Sequence, residues 1–182
     1  MGQHDLSYRD FFSHPRMIRD LLREIVGEQW VERIDFDTGE LANTSFVKGI
    51  TNRETDIIWK FGRKDGGEPV YVYILIEFQS RPDPSMPVRL MAYVGDFYQT
   101  LLDSQPAAAW SKLPEVNPIV MNTGSERWNV VTDLRSLIGD LDPSAEKYRP
   151  RVLYYLIEEA AYSREKLASL RLMFWSSSRR FS

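Results

Sequence analysis

Apolar positions in this chain follow two periods. Met17, Ile18, Leu21, Leu22, Ile25 and Val26 recur at helical spacing, and Gly27 supplies a stop; Ser13 is the expected N-cap and Pro15 sits in the first turn. A second helical stripe holds Leu90, Met91, Val94, Phe97, Tyr98, Leu101 and Leu102, with Ser85 as its cap and Pro87 in its first turn. Between them the period changes. Residues 53–61 and 70–79 are short runs rich in β-branched and aromatic residues, separated by Lys64-Asp65-Gly66-Gly67-Glu68-Pro69. Gly, Asp and Pro are turn formers, so the stretch predicts a β-hairpin. Ser45-Phe46-Val47 is a short strand candidate beside it. Residues 30–40, with Asp35 and Asp37 around Phe36, predict a loop or short helical turn. Val116 to Met121 predicts a strand closed by Asn122-Thr123-Gly124, with Pro118 favouring an edge or a strand start. Residues 151–157 predict a further strand, and Ser163 caps a last helix through Leu172.

A turn centred between Gly66 and Gly67 sets the hairpin register. Asp56 then faces Glu77, Ile58 faces Leu75, and Lys60 faces Tyr73. Alternation along a strand places Glu54, Asp56, Glu77 and Gln79 on one patch and Ile57, Trp59, Ile74, Ile76 and Phe78 on the opposite, core face. Directly opposed carboxylates repel unless a positive charge lies between them, and a divalent cation with oxygen ligands meets that need. Carboxylates at a solvated hairpin end are the alternative, and spacing alone leaves the two level. The reading depends on register, because a slip moves Asp56 out of line with Glu77.

Composition narrows the chemistry. The 182 residues are enough for one domain with a sizeable core. The 5 Trp, 9 Tyr and 9 Phe argue against disorder. A net charge of -3 gives no support for a generally basic nucleic-acid coat, so phosphate binding must come from a local patch. Absence of cysteine excludes disulfides, thiolate zinc sites and a cysteine nucleophile, and two histidines exclude a multi-histidine zinc site. Any metal must use carboxylates, carbonyls and water, which points to Mg²⁺, Mn²⁺ or Ca²⁺. The first residues show no basic stretch followed by an apolar one, and no apolar run is long enough to span a bilayer. A cytoplasmic protein with no membrane partner is expected.

The predicted order is helix, strand, a hairpin carrying Asp…Glu-x-Gln, helix, strand. It resembles the core of the PD-(D/E)XK nuclease superfamily. Whole segments resemble one of its branches more closely, the Rpn family of recombination-promoting nucleases, also known as YhgA-like transposases. These are Ser7-Tyr8-Arg9-Asp10-Phe11-Phe12-Ser13-His14-Pro15, Arg53-Glu54-Thr55-Asp56-Ile57-Ile58-Trp59, Tyr71-Val72-Tyr73-Ile74-Leu75-Ile76-Glu77-Phe78-Gln79-Ser80, Met86-Pro87-Val88-Arg89-Leu90-Met91-Ala92-Tyr93-Val94 and Pro118-Ile119-Val120-Met121-Asn122-Thr123-Gly124. The resemblance covers about Asp5 to Arg171.

It implies an α/β, restriction-endonuclease-like core: a central mixed sheet with a catalytic hairpin, flanked by helices. It also implies a divalent-metal-dependent DNA endonuclease associated with recombination or mobile elements. Asp56 and Glu77 would hold the ion, with the main-chain carbonyl of Phe78 as a further ligand, and Gln79 stands where many superfamily members place Lys. An amide can orient water but cannot take its proton, so the base is left to a hydroxide, a substrate phosphate or bulk water. Glu54 is a candidate outer ligand or a solvated charge. Arg53, Lys60, Arg81 and Arg89 are candidate phosphate contacts, each also readable as a plain surface charge. DNA is the implied partner, and a homodimer is left open. The resemblance fades after Leu172, so residues 1–172 are expected to form the nuclease domain and 173–182 an atypical tail, as from a truncation or frameshift. The alternative function is a catalytically inactive nuclease-fold module that binds DNA or a protein partner.

Overall fold

The computed structural model describes residues 10–42, 57–77, 82–104, 112–124, 126–139 and 142–162. After a short helical piece at 10–12, helix α1 (Pro15–Asp20) continues as a π-helical turn through Leu21–Val26. The N-cap position is His14 rather than Ser13, with Pro at the start, where a missing N–H costs nothing. Gly27 ends the turn at φ 59, the left-handed conformation that glycine adopts without penalty.

Five strands form one mixed sheet in the order β1 (Ile34–Leu41), β2 (Ile57–Arg63), β3 (Val70–Glu77), β4 (Glu115–Asn122) and β5 (Tyr155–Glu158). β1–β2 and β2–β3 are antiparallel; β3–β4 and β4–β5 are parallel. Helix α2 (Met86–Asp103) forms the connection from β3 to β4. With helices over a mixed sheet, this is an α/β, restriction-endonuclease-like arrangement.

The sheet is covered on both faces. Ile57, Trp59, Phe61, Val72, Ile74, Ile119 and Met121 pack with α1 and its π-turn. Ile58, Tyr71, Tyr73, Leu75 and Val120 pack with Leu90, Phe97 and Leu101 of α2. Two hydrogen bonds pin the first layer: the Trp59 indole donates to the Phe12 carbonyl at 2.8 Å, and the Tyr155 hydroxyl donates to the Ile25 carbonyl at 3.0 Å.

The structure corrects several expectations. The expected short helical turn within 30–40 is found as a 3-10 turn at Gln29–Arg33, but the rest is neither loop nor turn: from Ile34 onward it is strand β1. The ladder of β1 with β2 runs Ile34↔Arg63, Asp35↔Gly62, then jumps to Glu40↔Lys60. Four residues, 36–39, stand opposite Phe61 alone, and this wide bulge destroys the alternation that marks a strand. The Thr38 hydroxyl replaces the missing ladder, donating to the Asp35 carbonyl and accepting from the Gly62 amide, both at 2.7 Å. Gly39 is required here, since a Cβ would lie 2.6 Å from the Phe61 ring. The candidate strand at Ser45–Val47 and the helix after Ser163 lie outside the described residues.

The hairpin register also differs. Ile58 pairs with Tyr73 and Lys60 with Tyr71, two residues from the expected partners Leu75 and Tyr73. The turn is centred one residue earlier. Asp65 accepts from the Gly67 amide at 3.1 Å and from the Arg63 guanidinium, while Gly66 takes φ 72. A shift of two preserves the faces, so the apolar set of Ile57, Trp59 and Ile74 still points to the core. Pro118 lies inside β4 rather than at an edge; it pairs with Tyr73, and β5 joins only from Ile119 onward, so its β5 side meets no ladder. The last strand is shorter than 151–157, because residues 151–154 instead run past the Asp133↔Leu153 bridge.

Two substitutions test this account by urea denaturation. Trp59→Phe should lower stability by about 1–3 kcal/mol, the cost of leaving the buried Phe12 carbonyl without its donor. Gly39→Ala should cost about 1–3 kcal/mol through the clash with Phe61, whereas Gly95→Ala, with open space in the exposed interior of α2, should raise stability by about 0.5–1 kcal/mol.

Candidate functional site

Parallel strands direct their carboxyl ends to one edge, where ligands of open α/β sheets bind. Glu77, Asn122 and Glu158 are the last residues of β3, β4 and β5, and they stand in one row: Glu77↔Asn122 and Asn122↔Glu158. β2 runs the other way, and its described part begins at Ile57, opposite Ile74, with its N-terminal end toward this edge. Helix α2 brings its N-terminus to the same edge, because Tyr93 packs on Tyr73 while the later Phe97 packs on the earlier Tyr71, with ring centroids 6.2 and 4.9 Å apart. An 18-residue helix directs the positive end of its dipole there.

Of the residues expected to form the site, Asp56, Phe78, Gln79, Glu54, Arg53 and Arg81 lie outside the described residues. Glu77 is placed by its backbone alone. The described ladder ends at Ile57↔Ile74. Position 74 is three residues before Glu77, about 10 Å along a strand. The direct opposition of Asp56 and Glu77 therefore does not follow from the observed register, although β2's start and β3's end share one edge. Among the described residues, no group of three or more His, Cys, Asp or Glu could hold a metal ion.

Lys60 and Arg89 are both placed, and both are engaged. Lys60 sits on β2 and donates to Glu40 of β1 at 2.7 Å; that hydrogen bond raises its pKa. Arg89, on the first turn of α2, donates to Asp83 at 2.6 Å and to the Tyr93 hydroxyl at 3.4 Å. The Asp83–Arg89 pair is mostly covered, with side-chain exposures of 22% and 16%. Burial pushes the Asp83 carboxyl up, but hydrogen bonds from the Ser85 hydroxyl, the Arg89 guanidinium and the Ser85 amide together outweigh it, leaving its pKa below the ordinary value. The cap expected of Ser85 is thus indirect: its hydroxyl goes to Asp83 at 2.6 Å, and Asp83 anchors the helix start. Arg19 and Arg23 of the first helical segment are occupied as well, stacked over Phe36, with Arg19 bonded to Asp37 at 2.9 Å.

Sequence reasoning passed over the supports of the β4–β5 end. Asn122 is buried; its amide donates to the Glu126 carbonyl at 3.1 Å and its oxygen accepts from the Gly124 amide at 3.1 Å, which shapes the turn after β4. Glu158 accepts from the Trp128 amide at 2.7 Å and so ties that turn to β5. The Trp128 indole donates to the Tyr154 hydroxyl at 3.1 Å, which itself donates to the Val131 carbonyl at 3.0 Å. Burial pushes the Tyr154 phenol up to about 12, so it stays a proton donor throughout the physiological range. The strand-ending Asn-x-Gly was the one local signal for this turn.

The profile of the family described as "Putative transposase, YhgA-like" matches residues 2–174. The chain belongs to this family. The "Putative inactive recombination-promoting nuclease-like protein YjiP" of Escherichia coli K12 is 34% identical over 91 residues, 50% of this chain and 86% of that protein. "Recombination-promoting nuclease RpnD" of Escherichia coli O157:H7 is 31% identical over 123 residues, 67% of this chain and 45% of RpnD. "Recombination-promoting nuclease RpnC" of Escherichia coli K12 is 30% identical over 66% of this chain and 39% of RpnC. The chain thus spans less than half the length of RpnD and RpnC. No solved structure matches it. Among the described residues of this YhgA-like chain, no helix is long and apolar enough to cross a membrane.

The Asp83–Arg89 clamp has a definite pH signature. A carboxylate whose folded pKa is depressed stabilises the fold above its unfolded value of about 3.9, and that contribution is lost as pH falls through the folded pKa. Asp83→Asn should therefore cost about 1–2 kcal/mol at pH 7, between the values for exposed and buried pairs. Urea melts at pH 7 and pH 3 should show the gap to the unsubstituted protein closing at the lower pH.

Proposed function

We propose that this chain is a divalent-metal-dependent DNA endonuclease that hydrolyses phosphodiester bonds in a recombination setting. The observation that carries the reading is the convergence of the start of β2, the ends of the three parallel strands and the N-terminus of α2 on one sheet edge. Membership of the YhgA-like family, with relatives named recombination-promoting nucleases, supports it.

Asp56 and Glu77 would hold the ion, with the Phe78 carbonyl as a further ligand. Carboxylates and a carbonyl are hard oxygen donors of the kind Mg²⁺ takes, with Mn²⁺ or Ca²⁺ as substitutes. When bound, the ion neutralises phosphate charge and acidifies water. Gln79 orients the attacking water through its amide, and the water's proton leaves to a phosphate oxygen of the substrate or to solvent. The α2 N-terminus adds positive potential on the phosphate side. Arg53 and Arg81 contact the backbone. Arg89, held by Asp83, shapes the edge instead, whereas Lys60, held by Glu40, pairs with Tyr71 and lies about 20 Å along the strand from Glu77.

A second reading rests on the naming of YjiP as inactive: the chain retains the fold and binds DNA or a protein without cutting it. Plasmid nicking by purified protein separates the two. With Mg²⁺ or Mn²⁺ the unsubstituted chain should nick. Asp56→Ala and Glu77→Ala should each lower the rate by at least about 100-fold, the scale of losing one electrostatic stabiliser. EDTA should abolish nicking. A folded chain that binds DNA and never cuts with any ion establishes the binding-module reading.

A further inference from the structure

Tyr148 stands out from every other large apolar side chain described. It is 77% exposed, whereas the next, Leu41, is 47% exposed. It closes a 3-10 turn, Pro143–Tyr148, that is built to be rigid. Asp142 caps the turn by accepting from the Ser144 amide at 2.8 Å. Pro150 follows and confines Arg149 to extended backbone, φ -71 and ψ 123. Arg149 is anchored back onto the turn through Glu146 at 3.2 Å. The ring is therefore held outward by local structure, and ordering it on binding costs little entropy.

The surroundings of the ring are cationic in a chain of net charge -3. Lys147, Arg149 and Arg151 fall within five residues, with no acid among them. The Lys147 ammonium lies 5.0 Å from the Tyr148 ring centroid. The described acids nearby are already engaged: Asp133 holds Arg135 at 2.6 Å, Glu146 holds Arg149, and Asp142 caps the turn. Lys147 and Arg151 have no ion pair among the described residues. Arg151 also acts on Asp133, so Lys147 is the cation shown beside the ring; a projecting aromatic face next to it matches the alternation of base and phosphate in a nucleic-acid strand. A base locked in a duplex stack cannot reach such a face, whereas an unpaired one can.

We propose that the Tyr148 turn is a contact site for single-stranded DNA, with the ring stacking on an unpaired base and Lys147 and Arg151 meeting the flanking phosphates. This deepens the nuclease reading and rests on it, since it says that the DNA handled by the chain includes an unpaired segment.

Fluorescence anisotropy in EDTA, where no cutting occurs, tests it with a labelled oligo-dT strand and a hairpin duplex of equal nucleotide number. Tyr148 is exposed, so its substitution leaves the fold intact. Tyr148→Ala should weaken oligo-dT binding about tenfold, within the range for one base–aromatic stack, and change duplex binding less than about twofold. Tyr148→Phe should keep the single-strand affinity. Lys147→Gln and Arg151→Gln should each reduce the slope of log affinity against log salt on oligo-dT by about 0.7. A 2-aminopurine placed in the strand should be quenched by the unsubstituted protein and not by Tyr148→Ala. Unchanged oligo-dT binding in Tyr148→Ala overturns the inference, as does an equal loss on both substrates, or displacement of the strand by polyglutamate at matched charge, which would identify an acidic-peptide site. If Tyr148→Ala binds the strand normally while the chain still nicks plasmid, this inference alone falls. If the unsubstituted chain binds no DNA in EDTA and nicks no plasmid with any ion, the nuclease reading falls with it.

Discussion

Burial of β3 on both faces is the constraint on which the rest of the molecule depends. Val70 through Leu75 are all buried, with alternate residues serving opposite cores. A strand of this kind cannot lie at a surface, so it needs a helix layer on each side and a hydrogen-bonded neighbour on each flank. α1 and its π-turn cover one face, and α2 covers the other. Each fully buried large apolar side chain contributes about 1.5–3 kcal/mol, and β3 concentrates these contributions in the middle of the sheet. Polar chemistry is thereby expelled to the strand ends, which is why the candidate site is an edge and not a face.

That expulsion explains the supports at the edge. Asp83, Arg89, Asn122 and Glu158 all form polar contacts where apolar packing stops. Each fixes the start or end of an element: Asp83 and Arg89 the first turn of α2, Asn122 the turn after β4, and Glu158 the junction of that turn with β5. The frame at this edge is therefore tied by hydrogen bonds at the ends of its described elements, and not merely by strand pairing.

What was legible in the sequence was whatever kept a simple period. The stripe from Leu90 to Leu102 predicted α2, and the paired β-rich runs predicted the hairpin and its core face. The register was not legible, because Lys64-Asp65-Gly66-Gly67 offers two adjacent glycines. Only the Asp65 carboxylate, bonded to Arg63 and to the Gly67 amide, decides that Gly66 is the left-handed residue. β1 was missed for a related reason. Its residues 36–39 bulge out, so Phe36, Asp37, Thr38 and Gly39 carry no alternation, and the two aspartates imitate a loop. Pro118 misled because tolerance for proline depends on which flank of the strand is paired, a fact of topology and not of local sequence. Asp56 and Gln79 drew their significance from the family likeness more than from spacing, since the pairing meant to justify the spacing is two residues away from the one observed.

The bulge in β1 carries a consequence for how these molecules meet one another in a crowded solution. β1 is an outer strand, and a flat outer strand offers a row of unpaired amides and carbonyls to any passing chain. Here the bulge at residues 36–39 interrupts that row, held by the Thr38 hydroxyl, which bonds the Asp35 carbonyl and the Gly62 amide of the neighbouring β2. At the opposite border, β5 is only four residues long. Among the described residues, neither border presents a long straight template for a further strand.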